Sequence, residues 1–475
     1  MQRILASFVL ALLSSAPALA QPRPQPGRPI VPADRGVSDR AAPDLWLATA
    51  EGYEPFTVQA IHGTESLARV FEITLDVTTS DTTLDPADLL GQPVTLGIRT
   101  GPSSFRIRSA YVFSVSSSGV ITSDDGSRSQ RIHVDLAPWL AALARTSRFA
   151  IFENVSVVDA ARSVLGRYAF ARVDFRIQGP HPAHERLVQH GDSDFEFLRQ
   201  ILAPEGLYWF FEHDAHGHTL VITDAEGPPA SSRRPVLTYG GADPRQSIEG
   251  LHVRAMIGSN GYRVSAENPA DPHRPFVVER ELRGPRPFGA LVISDRIEHP
   301  FPSREALDRF AAGSVAGLRL DDYSIGETES PELEVGMAFR VTGHPRSEAN
   351  GEYRVVGSTY SVDTYGQQPG APVSMRSSLD VVPLRVPYRM PVTRASVALG
   401  VQTATVIGPN AGQVHSDAQG RVRVRFHWPS ARGQEPSAWI PVLGGAWRPR
   451  AGDLVLVQFL DGDPARPVVW SQPAP

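Results

Sequence analysis

Gly420-Arg421-Val422-Arg423-Val424-Arg425-Phe426-His427-Trp428 alternates polar and apolar side chains without a break. A period of two belongs to an extended strand, and it sends Val422, Val424, Phe426 and Trp428 to one face and the arginines to the other. Downstream, Asp453 to Leu460 is apolar on both faces, because Leu454 and Leu456 alternate with Val455, Val457 and Phe459. A strand of that kind needs cover on both sides, which a small isolated barrel does not supply; a subunit interface is the expectation, and a covering loop of the same chain is the alternative. Asp461-Gly462-Asp463-Pro464 then separates two apolar runs with the chemistry of a tight turn: Gly for positive φ, Asp for local backbone bonding, Pro to fix the exit. Residues 400–475 therefore read as a small β-barrel.

Working upstream, residues 241–390 carry further strands and one helix from Ser303 to Leu318, where Ala306, Phe310, Ala311 and Val315 share a face. Residues 139–240 read as an α+β unit. Ser156-Val157-Val158-Asp159 and Ser193-Asp194-Phe195-Glu196 are helix starts, each with a Ser able to accept a backbone N–H. Gly206 to Phe211 and Thr219 to Thr223 follow as a hairpin across His213–His218. Residues 46–138 hold short apolar runs between turn residues, the pattern of antiparallel β structure. A weak internal echo links Gly91 to Leu96, Phe105-Arg106-Ile107 and Phe113-Ser114-Val115 with Gly336 to Val341, Tyr353-Arg354-Val355 and Tyr360-Ser361-Val362, which suggests two related barrels. Residues 21–45 are a Pro-rich linker, and residues 1–20 have the form of a signal peptide: Arg3, the apolar run Ile4 to Leu13, then Ala18-Leu19-Ala20. The run is too short for a membrane span, so no integral membrane segment is expected after its removal, and an exported, periplasmic or extracellular location is.

At 475 residues the chain exceeds one ordinary domain. A hydrophobic fraction of 41% and a charged fraction of 20% are those of a globular protein. The net charge of -5 gives no attraction to nucleic acid. Every one of the 46 basic residues is Arg, and Cys is absent, which removes disulfides, thiolate metal sites and cysteine nucleophiles. Without Lys a Walker-type phosphate loop is impossible, and no Gly-x-Ser-x-Gly elbow is present.

Several phrases resemble the VgrG-type spike family of type VI secretion and the hub proteins of contractile phage tails. They are Glu65 to Phe71, Leu89-Leu90-Gly91 and Ala137-Pro138-Trp139-Leu140; Leu187 to Leu198 with Glu205 to Glu212; and Gly420 to Trp428, Ser437 to Ile440, Pro449 to Gly452 and Phe459 to Pro464. The resemblance implies a mainly β fold with a few short helices: duplicated hub β-barrel subdomains, an inserted α+β subdomain and a C-terminal OB-type barrel. It also implies a homotrimer in which the duplicated barrels form a pseudo-sixfold ring matched to a secretion tube protein, with a separate tip or effector protein as a further partner and no substrate. Three departures accompany it. The sequence stops just after the small barrel, so the needle-forming β-helix is expected to be missing; Pro441 to Arg448 is shorter than the usual loop; and the family is loaded from the cytoplasm without a signal peptide. A stand-alone exported binding module with the same fold is the second reading, and a periplasmic metal-dependent hydrolase the third.

No catalytic, cofactor or metal site is assigned. His213-Asp214-Ala215-His216-Gly217-His218 holds ligand-type side chains but is expected to be an ordinary polar hairpin loop. His181, His184, Glu185 and His190 are a looser cluster, lacking the second His of a zinc-protease helix. Asp192 with Asp194, and Asp321 with Asp322, are expected to be helix caps and solvated turns. Arg421, Arg423 and Arg425 form a basic stripe on a barrel type that elsewhere binds single strands, but the aromatic residues beside them alternate inward. The stripe is expected to be solvated or to pair with acids of a neighbouring subunit.

Overall fold

The computed structural model describes residues 28–472 except 40–41, 53–54, 123–124, 226–233, 254–258, 269, 272, 283–287, 298–300, 302, 319–323, 365–372, 394–395, 431–434 and 445–446. The signal-like segment and Asp321 with Asp322 lie outside the described residues. The chain is mainly β. The first barrel unit contains β1 (Leu45–Ala48), β2 (Thr57–Ser66), β3 (Glu72–Thr79), β4 (Pro93–Gly101), β5 (Ser104–Thr122) and β6 (Arg128–Ala137), in the order β1-β4-β5-β6-β3-β2. Alternation decides its inside: Ile73, Leu75 and Val77 of β3 are buried while Thr74 and Asp76 face outward; β4 sends Val94, Leu96 and Ile98 to the same core, and its other face is covered as well, Thr95 being buried.

Next come β7 (Phe149–Ser156), α1 (Val157–Leu165), β8 (Val173–Arg176), β9 (Ala183–His190), α2 (Asp194–Leu202), β10 (Tyr208–Asp214) and β11 (Gly217–Thr223). Both helices begin where the serines predict: Ser156 Oγ accepts from the Asp159 N–H at 3.1 Å and Ser193 Oγ from the Glu196 N–H at 3.1 Å. Their buried faces, Ala161, Val164 and Leu165 on one and Phe197, Leu198 and Ile201 on the other, meet Leu207, Trp209 and Ile222 in one core.

The second barrel unit is interrupted. It starts with β12 (Val236–Tyr239) and β13 (Ser247–Val253), then gives way to β14 (Gly261–Ala266), β15 (Phe276–Glu281), β16 (Val292–Ile297) and α3 (Arg304–Leu318), which form a separate three-stranded sheet with the helix on one core. It resumes with β17 (Ser324–Thr328), β18 (Ala338–Thr342), β19 (Gly351–Asp363) and β20 (Met375–Pro383). The order β12-β18-β19-β20-β17-β13 repeats that of the first barrel. Local detail repeats too. The Gly91 N–H donates to Val112 O at 2.8 Å and the Val112 N–H returns to Gln92 O at 3.0 Å; Gly336, Val355 and Met337 do the same at 2.7 and 3.0 Å. Each barrel then carries a bulge, after which Ser114 faces Asp135 in one and Gly357 faces Asp380 in the other. The echo in the sequence is thus real but displaced: the structural partner of Tyr353-Arg354-Val355 is Ala110-Tyr111-Val112, because the β4–β5 hairpin is longer than its counterpart.

The last unit is a five-stranded OB-like half-barrel of β21 (Val401–Val406), β22 (Val422–Phe426), β23 (Ser437–Ile440), β24 (Leu454–Phe459) and β25 (Pro467–Ser471), in the order β23-β22-β21-β24-β25. Val422, Val424 and Phe426 point into its core with Val455, Val457 and Phe459. Trp428 lies beyond the end of β22 and stacks on Phe426, ring centroids 4.2 Å apart.

Candidate assembly interfaces

The strongest electrostatic feature lies where the two barrels join. β2 pairs with β19 and so places Glu65 opposite Ser358 at the seam. There its carboxylate accepts two bonds from Arg108, at 2.6 and 3.1 Å, and lies 3.5 Å from Arg106, whose guanidinium covers the Tyr360 ring at 4.6 Å and donates to Leu333 O at 3.2 Å. Burial pushes the Glu65 pKa up, but Arg108 and then Arg106 more than reverse this and hold it far below the ordinary carboxylate range. A carboxylate so fixed cannot exchange protons near neutrality. It pins two arginines of its own barrel, which in turn reach Leu333 O, Tyr360 and Glu334 of the second, and pattern reading missed it because its partners are forty residues away with nothing in the local sequence to single them out.

Two of the three histidines of residues 213–218, His213 and His218, are not in a loop. β10 and β11 continue to a turn at Ala215 and His216, so His213 and His218 are cross-strand partners facing inward. His213 Nδ1 accepts the Ser109 N–H at 3.2 Å, and His218 Nε2 accepts the Trp139 N–H at 3.1 Å while its ring stacks on Trp139. Burial drives both pKa values down, well below the usual for His213 and to about 4 for His218, so each ring is neutral at pH 7. One lone pair of each ring is thereby committed to the protein's own backbone, which leaves no convergent metal-ligand set. Asp214 pairs with Arg172 at 2.6 Å.

The looser cluster divides in two. His181 contacts Glu205 at 3.2 Å and Asp224 at 3.3 Å, and His184 contacts Glu205 at 3.0 Å. The Glu205 contact above all raises the His181 pKa, while Glu205, pushed up by burial but pulled down by both histidines, sits at about 2. Glu185 and His190 belong elsewhere, to the seam with the C-terminal unit. Asp194 corrects the expectation of a solvated cap: it is fully buried, accepting bonds from Arg148, Arg167, Tyr168 and Gln189, because at the first position of α2 its side chain turns under the helix. Asp192 accepts from Gln200 at 3.0 Å and from Ser396. Among the described residues no His, Asp and Glu group is arranged to hold a metal ion.

The seam between the α+β unit and the OB-like unit consumes much of the basic stripe. Arg421 binds Asp417 at 2.6 Å and Glu185 at 2.9 Å, Arg423 approaches Glu153 at 3.7 Å, and Arg425 is exposed. The acids beside Arg421 and Arg423 thus come from the same chain. Arg186, which the sequence did not distinguish, donates to Ala465 O and Trp439 O, both at 2.7 Å, and Glu153 accepts the Trp439 N–H at 3.1 Å. His190 meets Gln402 at 3.2 Å and the edge of Trp428. The other side of the half-barrel is different. Leu454 is 43% exposed, Val401 52% and Trp470 55%, on adjoining strands. β24 therefore has one face in the core, while its other face is mixed: Leu454 stands opposite Thr405, the half-buried Leu456 opposite Thr403, and Gln458 opposite Val401.

Residues 64–366 match the family model of the phage tail baseplate hub (GPD), and residues 410–472 match the type VI secretion system/phage-baseplate injector OB domain. The type VI secretion system spike proteins VgrG1b and VgrG1a of Pseudomonas aeruginosa are each 28% identical to the chain over 88% of its length; the matches take in 58% and 67% of those proteins. The chain thus spans about three fifths to two thirds of the length of these two relatives. Among solved structures, the E. coli c3393 protein, described as a type VI secretion component resembling the T4 tail proteins gp27 and gp5, superposes with a TM-score of 0.64 at 20% identity, over 88% of this chain and 97% of that one. A chain of the Francisella PdpA–VgrG complex gives 0.60 at 8% identity, over 94% and 77%. These two likenesses concern fold.

Proposed function

Because the chain belongs to the phage tail baseplate hub family, the family of VgrG-type spikes and contractile-tail hubs, we propose that it is a non-catalytic structural component of a spike, assembled as a homotrimer. In this reading the two barrels of three copies form the ring that meets a secretion tube protein, and the OB-like units form a collar beyond it. A separate tip or effector protein is the further partner; that a Francisella VgrG forms a complex with PdpA supports a further partner of some kind. The run Arg3, Ile4–Leu13, Ala18-Leu19-Ala20 supports export to the periplasm or beyond.

The structural observation that supports the reading is the exposure of three large apolar side chains on β21, β24 and β25. Leu454, Val401 and Trp470 would each gain burial in a symmetric assembly. Sedimentation of the purified chain tests this. A stable trimer is expected, and Leu454→Glu is expected to yield a monomer that melts at the temperature of the dissociated parent. A parent chain that stays monomeric at high concentration overturns the reading.

A further inference from the structure

The seam between the α+β unit and the OB-like unit holds more than ion pairs. β23 is an edge strand of the half-barrel, and at Trp439 its open side is capped by the other unit: Glu153 accepts the Trp439 N–H at 3.1 Å and Arg186 donates to Trp439 O at 2.7 Å. His190, the last residue of β9, crosses the same seam. Its ring meets the edge of Trp428, centroids 5.1 Å apart, and lies 5.9 Å from Phe459 of β24 and 5.2 Å from Phe149 of β7.

The hydrogen bonds around His190 can run in one direction only. An indole N–H donates and never accepts, so the atom 2.6 Å from Trp428 Nε1 is the Gln402 carbonyl oxygen. The amide nitrogen of Gln402 therefore faces His190 Nε2, at 3.2 Å, and it too only donates. His190 Nε2 must then carry a lone pair, and the ring is neutral while the units are docked. Protonation sets N–H against N–H. Turning the Gln402 amide over relieves that clash only by setting its nitrogen against the Trp428 indole, so the relay has no arrangement that suits an imidazolium. The charges nearby do little to offset this. On the α+β side Arg148 is turned to Asp194, and on the OB-like side His427 is turned to Thr403 and Thr405. Asp192, whose carboxylate accepts the His190 backbone N–H at 3.3 Å, is the one charge that favours the proton, and burial outweighs it, holding the His190 pKa below the ordinary value.

We propose that the His190–Gln402–Trp428 relay is a pH-sensitive latch: acidification protonates His190 and loosens the OB-like unit from the α+β unit while each unit stays folded. Such a latch lies within one chain and needs no neighbouring copy. An undocked ring in water takes up its proton near the ordinary value of about 6.5, ahead of the docked ring. Docking is therefore undiminished above that pH and weakens as the pH falls below it.

The Trp439 N–H reads docking directly, because its acceptor belongs to the other unit. Its hydrogen exchange is followed by NMR in the full-length chain carrying isotope-labelled tryptophan, at pH 7.5 and pH 5.5, and divided by the intrinsic rate at each pH; Trp439→Phe identifies the signal. Protection is expected to fall about three- to tenfold, tenfold being the limit for an ordinary histidine protonated only when undocked. His190→Gln keeps an acceptor for Gln402 without a titrating ring, and its Trp439 protection is expected to be equal at the two pH values. Gln402→Glu reverses the relay. Its carboxylate accepts from Trp428 and from a protonated His190, so protection is expected to be higher at pH 5.5 than at pH 7.5. Unchanged protection in the parent chain overturns the latch. So does a loss of the same size in His190→Gln, which would assign the acid effect to Glu153 and Glu185 of the seam, or a loss in acid that persists in Gln402→Glu.

Discussion

The two barrels share strand order, the Gly-opened strand, the bulge and the aspartate after it, yet they are finished differently. In the second, the four-residue β12 bonds to both β18 and β13, and β19 bonds to β20, so the ring closes on itself. In the first, β1 bonds only to β4, and β2 spends its outer edge on β19 of the other barrel. One barrel is self-sufficient and the other is completed by its neighbour. The buried charge follows the same asymmetry, because Glu65 and its arginines stand at the unfinished side. A duplicated fold has thus been divided into a closed half and a half that shares its edges.

The largest effect that could break this contrast comes from the pin. Glu65→Gln leaves Arg106 buried without its counter-charge and Arg108 with Glu334 alone, which should cost about 3–5 kcal/mol, read as a drop in denaturation midpoint. Glu334, 3.5 Å from Arg108 and 40% exposed, is the control, and Glu334→Gln should cost under about 1 kcal/mol. Hydrogen exchange should show β1 to β6 opening before β12, β13 and β17 to β20. Equal losses for the two variants would mean that the pin is incidental and the barrels are alike in their needs.

Acid sharpens the same comparison at somewhat smaller scale. His218 seals the α+β unit onto the first barrel against Trp139, Phe71 and Tyr111. Its folded pKa of about 4 lies below the ordinary 6.5, so the unfolded chain takes up the proton first. Stability is therefore undiminished above pH 6.5 and declines as pH falls toward 4, on the order of 3 kcal/mol in all. His181 works in the opposite sense: its raised pKa gives stability that is fully present below 6.5 and lost as pH rises through the raised value. Exchange measured at pH 7 and pH 4.5 should show protection lost first at the β10–β11 seam with the first barrel. Uniform loss across both barrels would remove the distinction.

Much of the architecture was legible because it is local. Alternation in 422–428 and the serines at 156 and 193 mark strand and helix starts that depend on a few consecutive residues. The echo between Gly91 and Gly336 was visible for the same reason, since a left-handed turn needs Gly in both places. What escaped depends on distance. Nothing near Glu65 announces Arg108, and nothing in 213–218 says that the strands run on past Phe211, because His reads as polar until Ser109 and Trp139 supply its partners. The unit built from β14, β15, β16 and α3 merged with the second barrel on the page, since an insertion between β13 and β17 continues the same strand composition. That Leu454 is apolar on the outer face was legible from the alternation, whereas its exposure was not, because a strand apolar on both faces reads as covered on both.

The smallest effect asks whether the repeated element is equivalent in energy as well as in form. Gly91 sits at φ 75° and Gly336 at φ 92°, each at the point where its strand begins and its N–H closes onto the valine of the next strand. Alanine at either position must adopt a left-handed backbone, which costs about 1 kcal/mol. At Gly91 an added Cβ would meet no heavy atom within 4 Å, so the loss there is a backbone loss alone. If the barrels are energetically independent repeats, Gly91→Ala and Gly336→Ala should lower the midpoint by the same amount, and the double variant by the sum. If the first barrel leans on the second through β2 and β19, Gly336→Ala will be the costlier of the two. Strain at the start of β18 would then be felt in β19 and passed to both barrels, whereas strain at the start of β4 stays in one.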